Sequence, residues 1–293
     1  MSTIAIIGPG RLGTLLAAAA VRAGHRLTAV AGGRPEGRDR IAAMVAGCRP
    51  VGTVAETAGL ADVLVVAVPD DAIEQVVTDL AVADAIGEQH RIIHVAGSRG
   101  LEVLTRAAGA GAGVAACHPA MTVPTGATDP DLLIGTAWAV TAAPRDRGWA
   151  RAFVQDLGGD PHDLPDDRRA LYHAGLAIGS NAVAAAVAVA RQLLLAARVD
   201  DPAAFLAPLT QASAANVVRQ GASAITGPVV RGDVGTIVRH LEAIARDLPE
   251  LGEAYRLLAR ATLVPVRAGM QPDVAAAVDA LLTDACRDPQ AGR

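Results

Sequence analysis

The chain has 293 residues, a formal net charge of −4, 52% hydrophobic residues and 2% aromatic residues. That length and apolar content supply a sizeable core and room for two domains, while the lack of a basic run excludes the electrostatic footprint of nucleic-acid or acidic-membrane binding. Lysine is absent, so every basic side chain is arginine or histidine, and chemistry that needs a lysine acid or Schiff base is excluded.

Cys48, Cys117 and Cys286 are far apart and match no zinc or disulfide pattern, which fits a reducing, cytoplasmic setting. The N-terminus enters a strand almost at once, so no signal peptide is expected. Residues 4–7 are wholly apolar and mostly β-branched, as a strand buried on both faces should be. Gly8, Pro9, Gly10, Arg11, Leu12 and Gly13 follow as a G-x-G-x-x-G turn. An Ala- and Leu-rich segment runs on to Ala23, Gly24 is a helix stop, and residues 27–31 form a second apolar run. Strand, glycine turn, helix and strand within about 30 residues predict a dinucleotide site. Gly8 permits the tight turn, Gly10 lets the backbone approach a pyrophosphate, and Gly13 lets the helix pack against the sheet. The helix N-terminus then offers free N–H groups to the phosphates.

The end of the second strand selects the nucleotide. NAD sites place a carboxylate there for the ribose hydroxyls, but this chain has Ala31-Gly32-Gly33-Arg34, with Arg38 and Arg40 behind. A guanidinium suits a 2′-phosphate, so NADP is expected, with Arg34 as its reader. The alternative is that the three arginines form a solvated face, and Glu36 nearby is consistent with it.

Further strand-like runs lie at residues 63–68, 91–95, 114–117 and 137–141, and helical patterns between some of them predict a doubly wound parallel sheet. Ligands bind beyond the carboxyl ends of such strands. Val68 and Pro69 fall there, as does Asp70, for which capping of the next helix is the expected role. Ser98 ends His94-Val95-Ala96-Gly97-Ser98 and is a candidate cofactor contact. His118 and Thr122 end the following strand and are candidate substrate contacts, although either His94 or His118 can equally be a structural histidine. The polar segment 160–167 predicts a boundary between a Rossmann domain, 1–163, and an all-helical substrate and dimerisation domain, 164–293. Helices are expected over 166–198, 202–222, 232–247, 249–267 and 271–286, with fraying from Asp288.

On the first of these helices, His173, Ala177, Ser180 and Asn181 share one face at α-helical spacing. One reading gives His173 as proton donor, with Asn181 and Ser180 on the substrate. The other makes them a polar lock for helix packing or a dimer contact. Arg231 is a candidate carboxylate clamp, or a brace for Asp233. The Ala/Val-rich stretch 174–197 contains Ser180, Asn181, Arg191 and Gln192. It is therefore read as a helix buried in the core or in a second copy of the chain, and not as a membrane span.

Taken together, GPGRLG at 8–13, VPDDAI at 68–73, HVAGS at 94–98, HPAMT at 118–122, YHAGLAIGSN at 172–181 and TGPVVRGD at 226–233 resemble the two-domain Rossmann-like proteins whose helical half is domain of unknown function 2520. The resemblance covers nearly the whole chain. It implies kinship with ketopantoate reductases, pyrroline-5-carboxylate reductases and 6-phosphogluconate-type dehydrogenases. In ketopantoate reductases and β-hydroxyacid dehydrogenases a catalytic lysine opens the first interdomain helix, with an asparagine one turn later. Here His173 stands for the lysine, Ala177 for the asparagine, and Asn181 follows one turn on, so the acid would be an imidazole. The resulting expectation is an NADPH-dependent reductase of a small 2-oxo acid, ketopantoate first, working as a homodimer with the substrate between its domains. The alternatives are an imine or deazaflavin-linked NADP oxidoreductase and a non-catalytic NADP-binding sensor.

Overall fold

In the computed structural model, which describes residues 1–283, the apolar runs become the inner strands of one eight-stranded sheet. The strands are β1 (Thr3–Ile7), β2 (Arg26–Ala31), β3 (Arg49–Pro50), β4 (Val63–Val66), β5 (Arg91–His94), β6 (Gly113–Pro119), β7 (Ala137–Ala142) and β8 (Asp160–Asp163). Their order is β3-β2-β1-β4-β5-β6-β7-β8. All neighbours pair parallel except β6 and β7, which are antiparallel. The strand order turns around between β1 and β4, and the crevice beyond their carboxyl ends is where a doubly wound sheet takes its ligand.

Both faces of the sheet are covered, which explains strands that are apolar throughout. Ile4, Ile6, Val63 and Val65 pack on one face with Leu15, Leu16 and Phe153 of the helices Arg11–Arg22 and Pro144–Asp156. Ala5, Ile7, Leu64 and Val66 pack on the other with Val77 and Leu80 of the helix Ile73–Val82. Alternate side chains of one strand thus serve two cores.

The chain divides into two units, Met1–Ile178 and Gly179–Arg293. This division falls fifteen residues beyond the expected boundary at 163/164. The reason is local. Residues 160–167 do not form a break: Asp160–Asp163 is strand β8, in register with β7, and Thr141 Oγ1 donates to the Leu164 carbonyl at 2.7 Å. Arg169, 1% exposed, then ties the start of the helix Arg169–Ala177 to the sheet.

The second unit is helical, with Val183–Ala196, Pro202–Gln220, Val234–Asp247, Gly252–Val266 and Pro272–Thr283 as its longer helices. Its core is small: Val229, Ile237, Ala259, Leu263, Val278 and Leu282. The end of the last expected helix, with Cys286, and the fraying expected from Asp288 lie outside the described residues. The single helix expected over 166–198 is a 3-10 turn, the helix Arg169–Ala177, a π turn at Ile178–Ala182 and the helix Val183–Ala196.

The expectation of a buried apolar helix is not met within one chain. The run Asp166–Ala196 has a mean hydropathy of 1.5 in its most apolar window, and none of that window is buried. By length and composition alone it is long and apolar enough to cross a membrane. Ile178, Val183 and Leu195 are exposed on it, and Phe205, Leu209 and Val218 are exposed on the next helix.

Candidate functional site

The glycine turn after β1 forms one wall of a cleft of about 560 Å3. Gly8, Pro9, Gly10, Gly33, Arg34, Glu36, Gly37, Arg40, Ala67, Val68 and Pro69 line it. Gly8 has φ of +108°, a conformation that side chains disfavour, and its N–H donates to the Ala31 carbonyl at 2.9 Å. Gly10 is the N-cap of the helix Arg11–Arg22, whose first turn holds no acidic residue, so its positive end faces the cleft unneutralised. Gly13 lies directly against the Gly8 carbonyl.

Of the residues expected at the nucleotide, Gly8, Pro9, Gly10, Arg34, Val68 and Pro69 come together on this cleft. The others stand behind it. Leu12 packs on the core, Gly13 packs on the turn, and Arg11 donates to the Val123 carbonyl at 3.3 Å. Ser98 donates to the Asp70 carboxylate at 3.0 Å. Asp70 is therefore engaged by a side chain from another loop, and the turn it opens has no side-chain cap bond, contrary to the capping role expected of it.

The three arginines separate. Arg38 donates to the Gly32 and Gly33 carbonyls at 3.2 and 3.0 Å. Arg40 donates to the Pro9 carbonyl at 3.0 Å and to Thr14 Oγ1 at 3.3 Å. Both brace the loop. The guanidinium of Arg34 makes no hydrogen bond among the described residues and borders the cleft beside the N-terminus of the helix Pro35–Met44. A backbone close to the cleft, a free helix end and an uncommitted guanidinium are the donor set that a phosphorylated dinucleotide requires. Glu36 on the same wall is the one element that opposes it.

A second cluster lies at the ends of β5 and β6, within the first unit. Tyr172 OH and His118 Nδ1 are 3.0 Å apart. The His118 ring stands edge-on to His173 at 5.8 Å and to Tyr172 at 5.7 Å. Gly97 makes room for both imidazoles: a Cβ there would overlap the His173 ring and stand 3.0 Å from His118 Nε2. Beneath them Arg169 donates to the Ala96 carbonyl at 2.7 Å, to Thr141 Oγ1 at 3.0 Å and to the Ala116 carbonyl at 3.4 Å. Burial, then the Arg169 charge and His173, push His118 down to about 4, so it is neutral at physiological pH. Burial holds the Tyr172 phenol above its ordinary value, hence protonated.

His94 is structural. It is fully buried, its Nε2 meets the Gly100 carbonyl at 2.8 Å, and its Nδ1 accepts the Ala96 N–H at 3.3 Å. Thr122 is exposed in the loop after β6. Ser180 and Asn181 lie in the π turn, where α-helical spacing no longer applies, so the single face expected from residues 173, 177, 180 and 181 is interrupted after Ala177. Arg231 is exposed at the end of a short helix, Asp233 caps the helix Val234–Asp247 by accepting the Thr236 N–H at 3.0 Å, and no Arg231–Asp233 ion pair forms among the described residues. Tyr172 and Arg169 were not singled out as functional by sequence. The only signal was position, since Tyr172 precedes His173 within YHAGLAIGSN.

Comparison with known proteins agrees with this architecture. Residues 2–119 match the Rossmann-like domain, and residues 136–262 match domain of unknown function DUF2520. Among curated proteins none matches the chain. Among solved structures, a Bacteroides fragilis protein assigned as an NADP oxidoreductase is 24% identical, with a TM-score of 0.74 over 89% of this chain and 97% of its own. A reductive aminase from Aspergillus terreus, in complex with NADPH and ethyl levulinate, is 19% identical, with a TM-score of 0.67 over 95% and 99% of the two chains. A Plasmodium falciparum pyrroline carboxylate reductase with NADP bound is 13% identical, with a TM-score of 0.58 over 96% and 98%.

Proposed function

We propose that this chain, a Rossmann-like domain followed by a DUF2520 domain, is an NADPH-dependent reductase of a small substrate with a polarised C=N or C=O bond. The observation that carries the reading is the cleft at the glycine turn, with the free end of the helix Arg11–Arg22 and the uncommitted Arg34 on its border. Gly8, Pro9 and Gly10 would hold the pyrophosphate, Arg34 the 2′-phosphate, and Val68 and Pro69 the nucleotide on its other side. The bound cofactor supplies the hydride. His118 and His173 would meet the substrate, with Thr122 of the same unit to orient it.

Within that reading a C=N substrate is favoured over a 2-oxo acid. A carbonyl needs a proton as its oxygen gains charge, whereas a protonated imine brings its own. The chain lacks the lysine that 2-oxo acid reductases use, and His118 is held neutral. The aminase and pyrroline carboxylate reductase neighbours act in the same chemical class. Ketopantoate remains the second reading, resting on the resemblance.

The test follows nicotinamide absorbance with NADPH or NADH against a panel of cyclic imines, amine–ketone pairs and 2-oxo acids including ketopantoate. Turnover of imines with an NADPH preference, reduced about tenfold by Arg34→Ala, is the expected result. Turnover of ketopantoate alone would install the second reading. Binding without oxidation across the panel would leave a nucleotide sensor, and failure to bind either nucleotide would end the reading.

The exposed apolar helix Val183–Ala196 and its neighbour Pro202–Gln220 support a homodimer that covers them, with a second copy as occupant because the surface is apolar and long. Sedimentation is expected to give twice the 29.6 kDa of the chain. Val183→Glu with Leu195→Glu should shift it to monomer. A monomeric native protein would remove the proposal.

A further inference from the structure

The pair formed by His118 and Tyr172 has a direction. A neutral imidazole carries one proton, on either nitrogen, and the partner of the other nitrogen decides which. His118 Nδ1 faces the Tyr172 hydroxyl at 3.0 Å. That phenol is half-buried and stays protonated, and His118 Nδ1 is its one hydrogen-bond partner among the described residues. Donation of the phenol proton into this contact makes Nδ1 the acceptor. The remaining proton of His118 must then sit on Nε2. That nitrogen has no hydrogen-bond partner in the first unit, yet it is not one of the sealed, partnerless atoms of the interior. It stands beside Gly97 and the His173 ring.

We propose that Tyr172 is a positioning residue that locks His118 as its Nε2–H tautomer, so that His118 presents a fixed neutral donor beside Gly97 to the substrate atom that gains electron density. The proposal rests on the reductase reading for the identity of that atom, and on the structure alone for the tautomer. Burial is the first reason that His118 stays neutral; Arg169, His173 and His94 also oppose a second proton, and Asp70 favours one. A neutral imidazole donor of this kind hydrogen-bonds the lone pair that forms on the substrate atom as hydride arrives, and it needs no recharging in each cycle.

The experiment is nitrogen-15 NMR of the full-length protein labelled at histidine. His118 is assigned by the signal lost in His118→Gln. The expected wild-type result is an unprotonated Nδ1 and a protonated Nε2, unchanged as pH falls from about 8 to about 5.5, the region where a free histidine takes up its proton. Tyr172→Phe should release the lock, giving averaged nitrogens or a charged ring. On the imine substrate the same variant should lower kcat about tenfold with little change in KM, against roughly a hundredfold for His118→Gln. A wild-type Nδ1–H tautomer, a wild-type His118 that charges above about pH 6, or a Tyr172→Phe spectrum identical to wild type would each overturn the proposal. The wild-type spectrum decides it even if the variant does not fold. Absence of any reductase activity would instead count against the function it rests on.

Discussion

Gly10→Ala and Gly13→Ala are expected to lose nucleotide binding for two different reasons, and Gly13→Ala to lose far more stability. A Cβ at Gly13 would overlap the Gly8 carbonyl oxygen and come within 3.2 Å of Ile6 Cγ2. Both neighbours are fixed, one as backbone of the turn and the other as a fully buried strand residue. Neither can move without opening the packing of helix on sheet, so about 3 kcal/mol of stability should be lost. A Cβ at Gly10 meets no protein atom within 4 Å. That substitution should cost about 0.5–1 kcal/mol as an N-cap change, because glycine is favoured over alanine there. The added methyl still enters the space that a pyrophosphate would use, so NADPH affinity should fall by at least about tenfold, near 1.4 kcal/mol. Calorimetric titration with NADPH and thermal unfolding of both variants separate the two effects. Wild-type affinity in Gly10→Ala would remove the pyrophosphate from the turn. Wild-type stability in Gly13→Ala would show that the turn is looser than its contacts indicate.

The same contrast explains what was legible in the sequence. β1, β4 and the inner part of β6 could be read because a strand buried on both faces must be apolar at every position. β3 and β8 could not. They are the two edges of the sheet, where one side of the backbone is unpaired and Arg49, Asp160 and Asp163 face water. Pro161 is tolerated in β8 for the same reason. The GPGRLG turn was legible because its chemistry is local, with donors and glycines inside six residues. The roles of Arg34, Arg38 and Arg40 were not, since three arginines in one loop differ only in which carbonyls they reach. Asp166 and Arg169 fall at the start of the helix expected over 166–198, with nothing in the sequence to set Arg169 apart. In the fold Asp166 accepts the Leu101 N–H at 2.9 Å, and Arg169 reaches carbonyls more than 50 residues away. The Tyr172–His118 pair likewise spans 54 residues. Only tertiary placement creates these contacts, and they are why the first unit extends to residue 178.

Arg169 makes the strongest of these long-range commitments, and Arg169→Leu should expose it. The leucine fills part of the volume but donates nothing, so the Ala96 and Ala116 carbonyls and Thr141 Oγ1 lose a buried donor. Part of that cost is offset because a desolvated cation leaves as well, burial having already lowered the Arg169 pKa. The balance should be a loss of about 2–4 kcal/mol at neutral pH, measured by urea unfolding. The pH dependence then separates charge from packing. His94 and His118 both sit at about 4 in the folded chain, with burial as the first cause and Arg169 a contributor to each. In the unfolded chain they return to about 6.5. Between those values the unfolded state binds more protons, so wild-type stability should be fully present above about pH 6.5 and fall as pH drops towards 4. Without the guanidinium both folded values rise, the window narrows, and the loss between about pH 7 and pH 5 should be smaller in the variant than in wild type, although the variant is less stable throughout. An equal or steeper loss would mean that Arg169 serves the sheet ends alone and does not hold His118 neutral. In that case burial by itself would have to supply the uncharged imidazole beside Gly97.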